Sequence, residues 1–437
     1  MLGSLGWGVN PVWAGGSSHS PWTLLEEAFS PDSQDTESPK DLAPSFLSYL
    51  SPKQNVVSSA VRLPAEFEPM EALVLPAGLL AQRYPQVFLQ MVELLQGHTT
   101  LVGLVNDARQ RETVEKLLAG RKDFRRRAIR FVEIPHNTLW IRDYGPLFFR
   151  FPDAHPGAYD AEYPDPRRRL DDAVPARLAA LFGASVFPLP MVLEGGNLLT
   201  NGRGLGLTTT QAVLRHGGPS ASEASFRHLL SQCLGVDSLV VLEPLAGEPT
   251  GHVDMFACFT APDTVVVGQY DPKEDSENAA VLDRNAALLA DCRSGGEPLR
   301  VIRIPMPPHP DEIWRTYTNV VFANRLLLVP IYPTVDSEGT AKALEMYRRI
   351  LPGWKVVGVD VSELIRAGGG LRCITLGVPA PTTSSTLGAA VGKPFPMAGG
   401  RLFGCPSHPK LFCWDCVSGG MGLDAEERFW SNSPHRR

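Results

Sequence analysis

The chain has 437 residues, long enough for one large domain with extensions, and 43% of them are hydrophobic, so a sizeable core can form. Forty-one Lys and Arg against 47 Asp and Glu leave a net charge of −6, which excludes the basic footprint of a nucleic-acid-binding surface. No apolar run approaches the ~20 residues that span a bilayer. Seven cysteines, an odd and scattered set, do not form the framework of a small secreted domain, so a reducing compartment is expected. The first twenty residues lack both a basic segment and a continuous apolar stretch, making a poor secretory signal. The sequence therefore reads as cytoplasmic, with export by a weaker signal left open. The basic runs Arg125–Arg127 and Arg167–Arg169 read as solvated faces or loops.

Residues 1–60 are rich in Ser, Pro and Gly with little periodicity, and read as a disordered extension. Ordered pattern begins at Arg62-Leu-Pro-Ala-Glu-Phe-Glu-Pro69. Ala72 to Leu75 reads as a strand. Val87, Met91, Leu94 and Leu95 share a helical face. Thr99 to Val105 reads as a strand, Ala108 to Ala119 as an amphipathic helix with Gly120 at its C-cap, and Ala128 to Ile134 as a strand. Further strands are expected at Val186–Leu189, Leu239–Leu242, Thr264–Val267, Leu326–Ile331 and Lys355–Val359. Helices are expected at Asn278–Asp291 and Ala341–Ile350. The alternation points to an α/β domain over residues 61–380, followed by an irregular tail at 381–437.

Polar clusters punctuate this pattern at Asp143, Glu194, His252, Asn319 and Cys373, roughly 50–70 residues apart, a period that fits repeated supersecondary units. In Trp140-Ile-Arg-Asp-Tyr-Gly-Pro146, Asp143 sits beside a Gly-Pro turn, where α/β folds place ligand sites; a structural Arg142–Asp143 pair is the plainer alternative. Glu194-Gly-Gly-Asn197 sets paired glycines beside a carboxylate, letting backbone approach a ligand; a simple hairpin turning at Asn201-Gly202 is the alternative. In Gly251-His-Val-Asp254, a strand would put His252 and Asp254 on one face and Val253 in the core. A metal pair is less favoured there, because no further ligands recur at the usual spacing. Finally, Gly368-Gly-Gly-Leu-Arg-Cys373 sets a thiol behind three glycines. Alone it would be an inert cysteine; with a histidine and carboxylates elsewhere it becomes a candidate nucleophile.

Taken in order, these blocks, with Arg315-Thr-Tyr-Thr-Asn319, resemble those of the agmatine deiminase and bacterial-type peptidylarginine deiminase family over about residues 62–380. The resemblance implies the pentein fold of the guanidine-modifying superfamily, in which five ββαβ-type units form an α/β propeller around a central site. It implies Cys373 as nucleophile, His252 as general acid/base, and Glu194 as the group that orients it. Asp143 and Asp254 would grip a guanidinium, with Asn319 and Trp140 helping to position substrate. Ammonia would leave, a thiouronium adduct would be hydrolysed, and the product would be N-carbamoylputrescine from agmatine or citrulline from arginine. No metal or organic cofactor is implied. The sequence departs from the family at Arg372, where a histidine is usual, and at Asn201-Gly202, where Asp-Gly is usual. A cation at 372 could lower the proton affinity of Cys373 or repel a cationic substrate.

Tyr317-Thr-Asn319 and Val329-Pro-Ile-Tyr-Pro333 look closer to the peptidylarginine branch, whereas the weak export signal favours a small-molecule enzyme. An amidinotransferase and an inactive guanidinium-binding relative are the rival readings. No nucleic acid or membrane partner is expected, and a homo-oligomer stays open. In the tail, Cys413-x-x-Cys416 with Cys405 and His408 makes an imperfect zinc-binding pattern.

Overall fold

A computed structural model of the chain describes residues 61–121, 129–151, 155–165, 167–218 and 222–381. The expected extension at 1–60, the tail from 382 with Cys405, His408, Cys413 and Cys416, and Arg125–Arg127 lie outside the described residues. Among the described residues, no helix is long and apolar enough to cross a membrane.

The described residues form an α/β fold built on one recurring strand arrangement. In the first sheet, β1 (Met70–Leu75), β2 (Thr100–Val105) and β3 (Ile129–Glu133) run parallel. In the second, β4 (Leu147–Arg150) pairs antiparallel with β5 (Pro156–Glu162), which pairs parallel with β6 (Ser185–Val192). The third repeats this with β7 (Leu199–Thr200), β8 (Leu205–Thr209) and β9 (Ser238–Leu242). In the fourth, β10 (Ala257–Ala261) and β11 (Thr264–Gln269) form the hairpin; after the ribbon of β12 (Arg293–Ser294) and β13 (Glu297–Pro298), β14 (Arg300–Pro305) adds in parallel. In the fifth, β15 (Val321–Ala323), β16 (Leu326–Ile331) and β17 (Lys355–Asp360) do the same. The last strand, β18 (Leu376–Pro379), pairs antiparallel with β1, so the two ends of the fold share a sheet.

Local sequence explains these elements. β16, Leu-Leu-Leu-Val-Pro-Ile, is buried through its first five residues, as a continuous apolar run flanked on both sides requires. Parallel pairing needs a crossover, and helices 276–290 and 337–350 supply two of them. Each starts at an aspartate whose side chain accepts a backbone N–H three residues on: Asp275 from Asn278 and Asp336 from Gly339. Ala343 and Tyr347, four apart, face the core. Full burial of side chains such as Phe88, Met91 and Leu95 contributes roughly 1.5–3 kcal/mol each.

Gly120 occupies the C-cap of its helix, as expected, in an ordinary right-handed conformation at φ −71. One local expectation is corrected. Residues 251–255 are not a strand: His252 is extended and Val253–Met255 form a 3-10 turn. Val253 is nevertheless fully buried in the core, as expected.

The placement of the polar clusters is systematic. Asp143 lies just before β4, Glu194 before β7, His252 and Asp254 before β10, Asn319 before β15 and Cys373 before β18. The 50–70-residue spacing is therefore one strand–helix–strand repeat, and each cluster lies just before a strand that pairs antiparallel with its neighbour.

Candidate active site

The loops are held rigidly before they present any chemistry. Fully buried Asp171 accepts the backbone N–H groups of Asn137 (2.7 Å) and Thr138 (3.2 Å) and the Thr138 hydroxyl (2.8 Å). Tyr144 donates to the Thr138 carbonyl at 3.0 Å. This fixes the turn ahead of the one-turn helix Ile141–Tyr144 that carries Asp143. Glu248 accepts from the backbone of Thr250 and Gly251, holding the approach to His252. Three buried tyrosines support the segment before Asn319: Tyr332 donates to the Thr316 carbonyl, Tyr347 to the Tyr317 carbonyl, and Tyr317 bonds Thr340.

Cys373 is 5% exposed. The Asn319 amide donates to its sulfur at 3.4 Å, while the Arg372 backbone N–H donates to Asn319 Oδ1 at 2.8 Å. That second bond fixes which end of the amide faces the thiol. Gly370 packs where any Cβ would meet Asn319 Oδ1 at 2.6 Å, and Gly369 lies equally close to the Trp140 ring. The glycine run is thus needed for close approach. Burial pushes the Cys373 thiol well above the ordinary cysteine range, and the charges of Asp254 and Asp143 push the same way.

His252 is 4% exposed at its side chain. Its Nε2 lies 3.2 Å from Glu194 Oε2, and its Nδ1 lies 3.8 Å from Asp143 Oδ1. Asp143 also accepts the Gly196 N–H at 2.9 Å. A Cβ at Gly196 would collide with both the imidazole and the Asp143 carboxylate, which is why the paired glycines sit there. Burial raises the Asp143 carboxyl above its usual range, with the Asp254 charge adding to the effect.

Arg372 is the residue the structure re-assigns. Its guanidinium is almost fully buried and is taken up by partners other than the thiol. It donates to Glu66 at 3.0 Å, to Asp254 Oδ2 at 2.7 Å, and to the carbonyls of Gly195, Gly196 and Leu198 at 3.1–3.3 Å. It is a clamp joining four motif blocks, and Arg372 is not among the charges that act most strongly on the Cys373 thiol. Arg142 reaches the same Glu66 at 2.8 Å. Burial opposes ionisation of Glu66, but Arg142 and Arg372 outweigh it and hold its carboxyl below the usual range. Asp254 is left with Oδ1 buried and unpartnered among the described residues.

Sequence reasoning missed Glu66 and Arg215 as members of the site. Glu66 was legible in principle, since it lies in the opening block. Arg215 carries no local signal. It lies in the last turn of helix Thr210–Gly217, forms an ion pair with Glu194, approaches His252 Nε2 at 3.5 Å and donates to the Thr250 carbonyl at 2.9 Å.

The assembled set offers a buried thiol, an imidazole with a carboxylate on each side, and carboxylate oxygens suited to a planar cation. Asp143, Glu194 and His252 bring ligand atoms within 4.8 Å of one another, a spacing a metal ion could use. Arg215 already occupies Glu194, so an ion there would face a fixed positive charge. A cavity of about 100 Å³ lined by Glu66, Arg142, Cys258, Phe322 and Arg372 touches none of Asp143, Glu194, His252, Asp254 or Cys373. It borders the Glu66–Arg372 clamp and not the thiol or the imidazole.

The sequence profile of the Porphyromonas-type peptidyl-arginine deiminase family matches residues 62–379. A Vibrio parahaemolyticus protein provisionally named an agmatine deiminase is 26% identical over 288 residues, covering 58% of this chain and 78% of that one. Among solved structures, the agmatine deiminase of Enterococcus faecalis superposes with a TM-score of 0.65 at 23% identity, over 74% of this chain and 97% of that one. A Porphyromonas gingivalis protein provisionally named an arginine deiminase gives 0.63 at 26% identity, over 74% and 98%.

Proposed function

The chain belongs to the Porphyromonas-type peptidyl-arginine deiminase family, and from that premise we propose that it is a guanidinium deiminase with Cys373 as nucleophile. The catalytic domain is taken as residues 61–380, and the five strand sets as the units of a pentein propeller with the site at its centre. The observation that carries the reading is the buried thiol under the influence of two carboxylates, with a histidine bridging Asp143 and Glu194.

The chemistry follows from that arrangement. A buried unpaired acceptor costs about 1–3 kcal/mol, and more when charged. Asp254 Oδ1 is such an acceptor, and a substrate N–H would satisfy it, with Asp143 taking the other edge of the guanidinium. The bound cation offsets the two negative charges that disfavour the thiolate, so as substrate arrives the thiol passes its proton to His252 and the nucleophile forms. Sulfur attacks the guanidinium carbon. His252 gives a proton to one nitrogen, the C–N bond breaks, and ammonia leaves a thiouronium adduct. The neutral imidazole then takes a proton from water, which attacks the same carbon. The C–S bond breaks, and a ureido product departs. Glu194 steadies the imidazole through Nε2, and Asn319 steadies the sulfur.

Ammonia release from agmatine, free arginine and an arginine-containing peptide tests this reading. The expected result is turnover of at least one of the three by the native protein and none by H252A. An acceptor amine required for turnover would point to amidino transfer instead.

A further inference from the structure

We propose that Arg215 sets the substrate class: it admits guanidines whose far end is neutral or acidic and disfavours a second positive charge. The inference rests on the deiminase reading above and narrows it.

The first ground is position. Side-chain exposure rises from 4% at His252 through 14% at Asp143 and 16% at Glu194 to 27% at Arg215. Arg215 is therefore the most exposed of the charged groups around the imidazole, and its ion pair with Glu194 and its approach to His252 keep it within reach of the reacting centre. A substrate held by Asp143 and Asp254 therefore lies within reach of its charge.

The second ground is charge capacity. The linked groups are four carboxylates, Glu66, Asp143, Glu194 and Asp254, and three guanidiniums, Arg142, Arg215 and Arg372. These seven groups by themselves leave one negative charge uncompensated. A single substrate guanidinium neutralises it. A second cation, such as the ammonium of agmatine, finds no counter-charge left.

The third ground is the neighbourhood. Tyr163 lies in electrostatic reach of Asp143 and Arg215, and its hydroxyl accepts from Arg168 at 2.7 Å. A further guanidinium, that of Arg168, thus stands beside the Tyr163 hydroxyl. Like charges ~7 Å apart near a protein surface, partly screened by salt, change binding by about tenfold.

The test uses three guanidines with the same four-carbon spacing: agmatine, butylguanidine and 4-guanidinobutanoate. Two readouts are taken on the native full-length protein, R215Q and R215K: ammonia release, and protection of Cys373 from iodoacetamide. The native protein should prefer the neutral and acidic compounds over agmatine by about tenfold in both readouts. R215Q should move the preference toward agmatine by a similar factor, and R215K should keep the native order. Agmatine preferred by the native protein, or an order unchanged in R215Q, overturns the inference. Charge-ordered protection without ammonia release would sustain it while sinking the deiminase reading, and protection by none of the three would sink both.

Discussion

Replacing Arg372 with methionine isolates the clamp beneath the site. The side chain is long enough to fill the space but offers no donor. Its loss leaves Glu66 with Arg142 alone, strips Asp254 of the partner to Oδ2 while Oδ1 is already unpartnered, and orphans the carbonyls of Gly195, Gly196 and Leu198. Removing one partner of a buried ion pair costs about 3–5 kcal/mol, because an uncompensated charge stays behind. Each kcal/mol shifts Tm by about 2–4 °C in a domain of this order of size, so R372M should melt roughly 6–20 °C below the native protein. R372K keeps the charge but not the forked donors, and should fall between the two. Differential scanning calorimetry on all three reads the effect directly. A drop of under about 2 °C for R372M would mean that the guanidinium does not hold the four blocks together.

Two further outcomes follow from ionisation. Because burial, Asp254 and Asp143 raise the Cys373 thiol, iodoacetamide should modify the ligand-free protein slowly at pH 7, with the rate still climbing above pH 9. D143N should move that curve to lower pH, and a midpoint at or below that of an ordinary cysteine would contradict the assignment. Burial, aided by Asp172, pushes the Asp160 carboxyl up to about 6. A raised acid favours the fold while protonated, below its unfolded value near 4, and loses that contribution as pH rises through about 6. D160N should therefore melt higher than the native protein at pH 7.5 and equally at pH 3.5; equal melting at both would refute the linkage.

Much of this was legible from residue order. The β-branched run at Thr264–Val267 and the apolar run at Leu326–Ile331 could only be buried strands, and both are. Asp143, Glu194, His252 and Cys373 were visible because each stands beside glycines or turn residues that backbone crowding requires, and Asn319 through the family resemblance alone. Short strands such as Val321–Ala323 and Leu376–Pro379 were not, since three or four residues carry too little periodicity. His252 and Asp254 were assigned to a strand because a period of two also describes a turn across so short a span. The partners of Arg372 were not legible because adjacency in sequence to Cys373 says nothing about where a long side chain goes; the carboxylates of Glu66 and Asp254 and backbone carbonyls from another loop take it up. Arg215 was invisible for the same reason, as a surface-looking arginine at a helix end that gains its meaning only from Glu194.

The central claim is a covalent bond to Cys373, and acid-quenched mass spectrometry of the protein during turnover tests it most directly. The account predicts that the peptide containing Cys373 gains the mass of the substrate less ammonia, that the adduct decays to free thiol, and that C373A releases no ammonia. Native-rate ammonia release by C373A, with no adduct on the native protein at any time, would contradict it.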